Sequence, residues 1–193
     1  MRGAERVCWT KWSVAERGDC KRRGRGLGRR NDIFIFQYKK NTDYCYNMYQ
    51  CKHFKIQELV SKIVYERFGE FCWSFFSDDF KCDLDAIREY HGHEITINNW
   101  LFGDGSLQQC GFRSNLDPMV ASKTTLYCSA HCMGKAADMR GRDNIKLWND
   151  CKFLIENSKL LTIKRLESTV STQNKWVHVD CFETSDGKLQ VFV

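Results

Sequence analysis

Two short stretches hold the residue types that could do chemistry. One is Ser129-Ala130-His131-Cys132-Met133-Gly134-Lys135-Ala136-Ala137-Asp138; the other, further along the chain, is Trp176-Val177-His178-Val179-Asp180. His131 and Asp138 are too far apart for adjacent turns of a helix, but a strand-turn-strand bent at Gly134 would turn both inward. His178 adds a second imidazole. Two imidazoles and a carboxylate suit Zn²⁺ with a fourth position left open, the pattern of a catalytic rather than a structural zinc site. The five fixed residue types of S-x-H-x-x-G-x-A-x-D arise by chance in about one chain of this size in ten thousand at average composition. His53, His91 and His93 stand in no such pattern and read as structural histidines.

These side chains need a sheet to hold them and helices to cover it. Leu59, Val60, Ile63 and Val64 recur at helical spacing after Phe54 until Gly69 supplies a stop, which predicts one amphipathic helix. A second helix is expected over residues 79–90, with Ser77 or Asp78 as cap, Leu84, Ile87 and Tyr90 on one face, and His91-Gly92 as its end. Residues 94–98 alternate polar and β-branched types and read as a strand leading into a Gly-rich loop over residues 102–114. Residues 124–127 and 135–139 are short strand candidates on either side of Gly134. Ile145, Leu147, Trp148, Cys151, Leu154 and Ile155 form an apolar stripe that predicts a helix over residues 143–157. Strands are expected at 161–167, 176–183 and 189–193, with Thr184-Ser185-Asp186-Gly187 as a hairpin turn between the last two. Helices followed by strands imply an α+β fold with helices packed on a mainly antiparallel sheet.

Composition limits the alternatives. A chain of 193 residues, 42% hydrophobic, is one domain with a small appendage. No apolar run approaches the ~18 residues of a membrane span, and 13% aromatic residues with a single proline argue against disorder. Residues 1–40 hold 12 Lys/Arg against 4 Asp/Glu, while the remainder holds 18 against 20, so the net charge of +6 belongs to the N-terminus. The basic run at residues 21–30 suits an anionic polymer such as a cell wall, or is simply a solvated tail. Residues 1–51 therefore read as a basic extension containing Cys and aromatic residues, and residues 52–193 as the domain that carries the site. The eleven cysteines show no CxxC, and the first residues lack the apolar stretch of a secretory signal. Reduced, mostly buried thiols in a monomer made in a reducing cytoplasm are expected.

The motif S-x-H-x-x-G-x-A-x-D followed by W-x-H-x-D resembles the zinc D-alanyl-D-alanine carboxypeptidases and murein endopeptidases. That group includes phage-type peptidoglycan peptidases and shares its fold with the hedgehog signalling domain. The resemblance covers roughly residues 54–193, including Ile95-Thr96-Ile97-Asn98-Asn99-Trp100, Gly111-Phe112-Arg113-Ser114-Asn115 and Arg165-Leu166-Glu167. It implies that His131, Asp138 and His178 bind zinc, that Arg113 reaches the substrate, and that Ser129 hydrogen-bonds near it. The implied activity is hydrolysis of a peptide bond in the stem or crosslink peptides of peptidoglycan, by an endolysin or wall-remodelling enzyme. Such an enzyme would meet the wall after release or export by a partner. Several relatives place a general-base glutamate a few residues before the last histidine, where this chain has Gln173, Asn174 and Lys175. None of these accepts a proton at neutral pH, which leaves Glu167 or Asp180 as the base. The alternative is a zinc-binding module that keeps the fold without hydrolytic activity.

Overall fold

Ser77 and Gly92 bound the longest helix, α3 (Asp78–His91). The Ser77 hydroxyl accepts from the Phe80 N–H at 3.2 Å, and Gly92 takes the left-handed conformation, φ 74°, that ends a helix cheaply only at glycine. Helix α5 (Asn144–Glu156) starts at Asp143, whose carboxylate accepts from the N–H groups of Ile145 and Lys146. Phe80, Leu84 and Ile87 of α3 and Leu147, Cys151 and Leu154 of α5 are buried; the two helices pack on each other, and α5 packs across the sheet. The computed structural model describes residues 48–193. The basic run at 21–30 and nearly all of the 1–51 extension lie outside the described residues.

The sheet has five strands: β1 (Ile95–Thr96), β2 (Ala136–Gly141), β3 (Arg165–Glu167), β4 (Val177–Asp180) and β5 (Gln190–Phe192), in the order β1-β2-β4-β3-β5. Its first three ladders are antiparallel and the β3–β5 ladder is parallel. The fold is therefore α+β with a mixed open sheet, which corrects the expectation of a mainly antiparallel one. The turn at residues 184–187 forms, with the Gly187 N–H on the Thr184 carbonyl at 3.2 Å, but it does not close a hairpin. Both edges of β4 are already taken, by β2 and β3, so β5 passes β3 and pairs on its far side.

Local periodicity misread three further places. The helix expected from Phe54 to Gly69 is two, α1 (Ile56–Leu59) and α2 (Lys62–Phe68), followed by a 3-10 helix over Gly69–Phe75. Val60 between them is extended because partners distant in sequence claim its neighbourhood. The Leu59 carbonyl accepts from the Phe112 N–H at 2.8 Å, and the Val60 carbonyl accepts from Trp100 Nε1 at 2.8 Å. Gly111 sits so close to this break that a Cβ would overlap the Leu59 carbonyl oxygen. Residues 124–127 form no strand; His131 instead lies on a 3-10 turn, His131–Met133, and Gly134, φ 66°, swings the chain into β2. Residues 161–164 are a loop pinned by the buried Asp83, which accepts from the N–H groups of Leu161, Thr162 and Ile163 and from the Thr162 hydroxyl. Helices α4 (Pro118–Ala121) and α6 (Thr169–Thr172) occupy stretches with no periodic signal.

Among the described residues no helix is long and apolar enough to cross a membrane, and the eight described cysteines are all unpaired.

Candidate metal centre

Asp138 on β2 and His178 on β4 are direct partners in the antiparallel register, so their side chains leave the same face of the sheet. Their neighbours Ala137, Met139, Val177 and Val179 point the other way and are fully buried in the core. His131 arrives from the 3-10 turn. Asp138 Oδ1 lies 2.7 Å from His178 Nδ1, and His131 Nε2 lies 3.3 Å from His178 Nδ1 and 3.4 Å from Asp138 Oδ1. The three residues each offer one donor atom to a common point and can hold a metal ion.

What lies behind each donor decides which atom it presents. His131 Nδ1 is 2.7 Å from the Gly111 carbonyl, an acceptor only, so Nδ1 carries the hydrogen and Nε2 offers its lone pair to the centre. His178 places Nε2 3.3 Å from Asp180 Oδ2, which leaves Nδ1 facing inward. Asp180 is itself held: Oδ1 accepts from the Phe182 N–H at 3.0 Å and lies 3.4 Å from Arg165 Nε. Asp138 Oδ2 accepts from Arg113 Nη2 at 2.7 Å, leaving Oδ1 for the centre, and Arg113 Nε donates to the Gln109 carbonyl.

Burial alone would push the two central groups toward their neutral forms, and their partners reverse it. For Asp138 the hydrogen bonds and charges of His131 and His178 outweigh desolvation and hold the carboxyl well below the ordinary carboxylate range. For His178 burial lowers the pKa, but Asp138 and Asp180 on its two nitrogens together raise it to about 9.

The remaining residues singled out from the sequence lie as follows. Extending the β3–β4 register by one residue brings Glu167 level with His178, but its carboxylate accepts from the Ser171 hydroxyl at 2.5 Å. Asp180 stands behind His178. Ser129 begins the turn that carries His131, its carbonyl accepting from the Cys132 N–H and its hydroxyl facing Cys132 Sγ. Arg113 is bound to Asp138. The structure thus joins His131, Asp138 and His178, puts Arg113 and Asp180 in support, and bonds Glu167 and Ser129 elsewhere.

Sequence reasoning missed the Gly111 and Gln109 carbonyls, which have no side-chain signature. The tight glycine before Phe112-Arg113 was the one available hint. It also missed a cavity of about 620 Å³ that meets the centre at Asp138 and is bordered by Arg113, Arg140, Trp176 and Met119. No protein-family model, no curated protein and no solved structure matches the chain.

Proposed function

We propose that this protein is a zinc-dependent peptidase cleaving stem or crosslink peptides of peptidoglycan, built on a fold of the D-alanyl-D-alanine peptidase and hedgehog type. The observation that carries the reading is the spacing of the three donors. Zinc bonds of about 2.0–2.1 Å in a tetrahedron require donors about 3.3–3.4 Å apart. Two of the three spacings are 3.3 and 3.4 Å, and the third, 2.7 Å, is the hydrogen bond between His178 and Asp138. Opening that one edge by about 0.6 Å completes the face of a zinc tetrahedron. His131, Asp138 and His178 would hold the ion, and the acceptor behind each imidazole is the supporting contact such ligands use.

Zinc, when bound, supplies a Lewis acid that polarises a carbonyl and makes water acidic at neutral pH. The chain supplies the proton traffic and the orientation. Glu167, released from Ser171, takes a proton from the attacking water and returns it to the departing nitrogen as the C–N bond breaks, giving a carboxylic acid and an amine. Asp180 keeps His178 turned inward, and Arg113 keeps Asp138 aimed while bordering the cavity where the substrate carbonyl gathers charge.

Metal analysis together with digestion of purified murein, the fragments identified by mass, tests the reading. One zinc per chain and defined cleavage products are expected, both lost in His131→Ala and His178→Ala. Variants that keep full zinc would overturn the ligand assignment. A second reading, a zinc-binding module without turnover, draws on the fact that Asp180 is fully engaged and Glu167 is bonded to Ser171. Stoichiometric zinc with intact murein would establish it.

A further inference from the structure

A second cavity, of about 580 Å³, opens where β2 ends, and none of the three residues of the metal centre borders it. That volume is the size of a small-molecule site. One wall is a loop that its own hydrogen bonds hold in shape. Asn99 Oδ1 accepts from the Leu107 N–H at 2.8 Å, Asn99 Nδ2 donates to Asp104 Oδ1 at 2.8 Å, and the Asn99 carbonyl accepts from the Gly103 N–H at 2.7 Å. This constrained loop presents Phe102, 60% exposed. Lys55 Nζ stands 4.6 Å from the ring centre on one face, which leaves the other face free. Deeper in, Asn98 is buried and its amide is fixed in orientation, because Oδ1 accepts from the Cys110 N–H at 2.9 Å. Its Nδ2 has no hydrogen-bond partner. An unpaired buried donor is costly, and a carbonyl carried by a ligand would satisfy it. Two carboxylates, Glu58 and Glu94, and two guanidinium groups, Arg140 and Arg142, complete the walls. Charges of both signs in equal number favour a neutral ligand over an ion of either sign.

We infer that this second cavity binds an N-acetylated amino sugar, with the pyranose ring against Phe102 and the acetamido carbonyl on Asn98 Nδ2. A pyranose has a C–H face that packs on an aromatic ring and an edge of hydroxyls that both donate and accept, which planar carboxylate and guanidinium groups match in pairs. The acetamido group adds the carbonyl that the Asn98 donor lacks. A sugar without it would leave that donor unpaired, and the phosphates of a nucleotide stacked on Phe102 would meet Glu58 and Glu94. The inference goes beyond the peptidase reading and stands without it. If both hold, a strand of amino sugars docks next to the peptide that is cut, since Arg140 borders both cavities.

The test titrates the full chain with chitotetraose, an oligomer of N-acetylglucosamine, and with cellotetraose, which has the same linkage and no acetamido groups. Binding is followed by NMR at the Asn98 side-chain amide. Chitotetraose should bind saturably and move that amide resonance, and cellotetraose should bind about 10-fold more weakly, the loss of one hydrogen bond to a buried donor. The ligand pair removes the contact from the sugar rather than from the protein, so the comparison does not depend on an Asn98 variant that folds. Phe102→Ala should weaken chitotetraose about 2- to 10-fold, the range of an aromatic packing contact, with the unfolding midpoint retained because the ring is exposed. No saturation up to about 10 mM overturns the inference. Equal affinity for the two sugars overturns it, as does chitotetraose binding that Phe102→Ala leaves unchanged. Adenosine monophosphate that moves the Asn98 amide at lower concentration than chitotetraose would assign the cavity to a nucleotide instead. The readout is binding and not turnover, so its failure leaves the peptidase reading intact, and uncut murein leaves the sugar site intact.

Discussion

Zinc affinity should rise tenfold with each pH unit up to about pH 9 and then level off. In the proposed site zinc would take the lone pair of His178 Nδ1, and in the metal-free protein that atom holds a proton shared with Asp138 at 2.7 Å. The two flanking carboxylates raise the His178 pKa to about 9, so at pH 7 the metal competes with a proton that is bound about a hundredfold in excess. Affinity at pH 7 should therefore lie about 100-fold below its alkaline limit. Asp138 adds nothing to this competition, since its pKa is lowered and it stays ionised throughout. The sign for the fold itself is opposite. A raised histidine pKa stabilises the metal-free protein fully below the unfolded value of about 6.5, and that contribution is lost as pH rises through about 9. Titration against a chromophoric chelator of known protonation, at constant ionic strength from pH 6 to 10, measures the first effect. Thermal unfolding of the metal-free protein measures the second, with Tm expected to fall across the window in which zinc binding strengthens. Asp180→Asn removes one of the two carboxylates and should shift the break to lower pH. An affinity that is flat between pH 7 and 9, as ordinary imidazoles would give, refutes the reasoning.

Glu167→Gln should keep zinc and fold while losing at least ~100-fold in turnover, the usual contribution of a general base; a wild-type rate would move the role elsewhere. Asp83→Ala should cost at least about 3 kcal/mol in urea denaturation, because it strands three backbone N–H groups of residues 161–163, and a change below about 1 kcal/mol would show that water replaces the carboxylate there. Removal of residues 1–45 should leave cooperative unfolding in place. It spares Met48 and Cys51, which pack on the core, and Tyr49, Lys52 and His53, which bond Asp85. Loss of cooperativity would show that the extension belongs to the core.

That His131, Asp138 and His178 come together was legible because few uses require two imidazoles and an aspartate around a glycine turn. Helices α3 and α5 were legible because their caps, Ser77, Gly92 and Asp143, are local devices. What stayed hidden is non-local. Nothing between Phe54 and Gly69 announces a break at Val60, because its cause is a carbonyl bonded to Trp100 and a neighbour bonded to Phe112. The position of β5 depends on which strand edges are already filled, and residues 189–193 alternate in the same way for either neighbour. Arg113 shows the same limit within the site. Its type suits a substrate carboxylate and an aspartate ligand equally, and only the fold places it 2.7 Å from Asp138.

The hydrophobic core places Asp138 and His178 more firmly than their own hydrogen bonds do. Side-chain direction alternates along a strand, so sliding β4 by one residue against β2 would turn His178 and Asp180 into the core and Val177 and Val179 out of it. Val177 and Val179 are at most 1% exposed, and burial of each contributes about 1.5–3 kcal/mol, so the slipped register loses about 3–6 kcal/mol. It would also bury an imidazole and a carboxylate against Met139 and Leu166 with no partners, a further cost of several kcal/mol. By comparison, the hydrogen bond between Asp138 and His178 contributes about 1.5–3 kcal/mol as a charged pair. The register that sets Asp138 level with His178 is thus held by the valines on either side of the histidine. The strands that carry Asp138 and His178 are therefore held in place independently of what occupies the space between the two side chains.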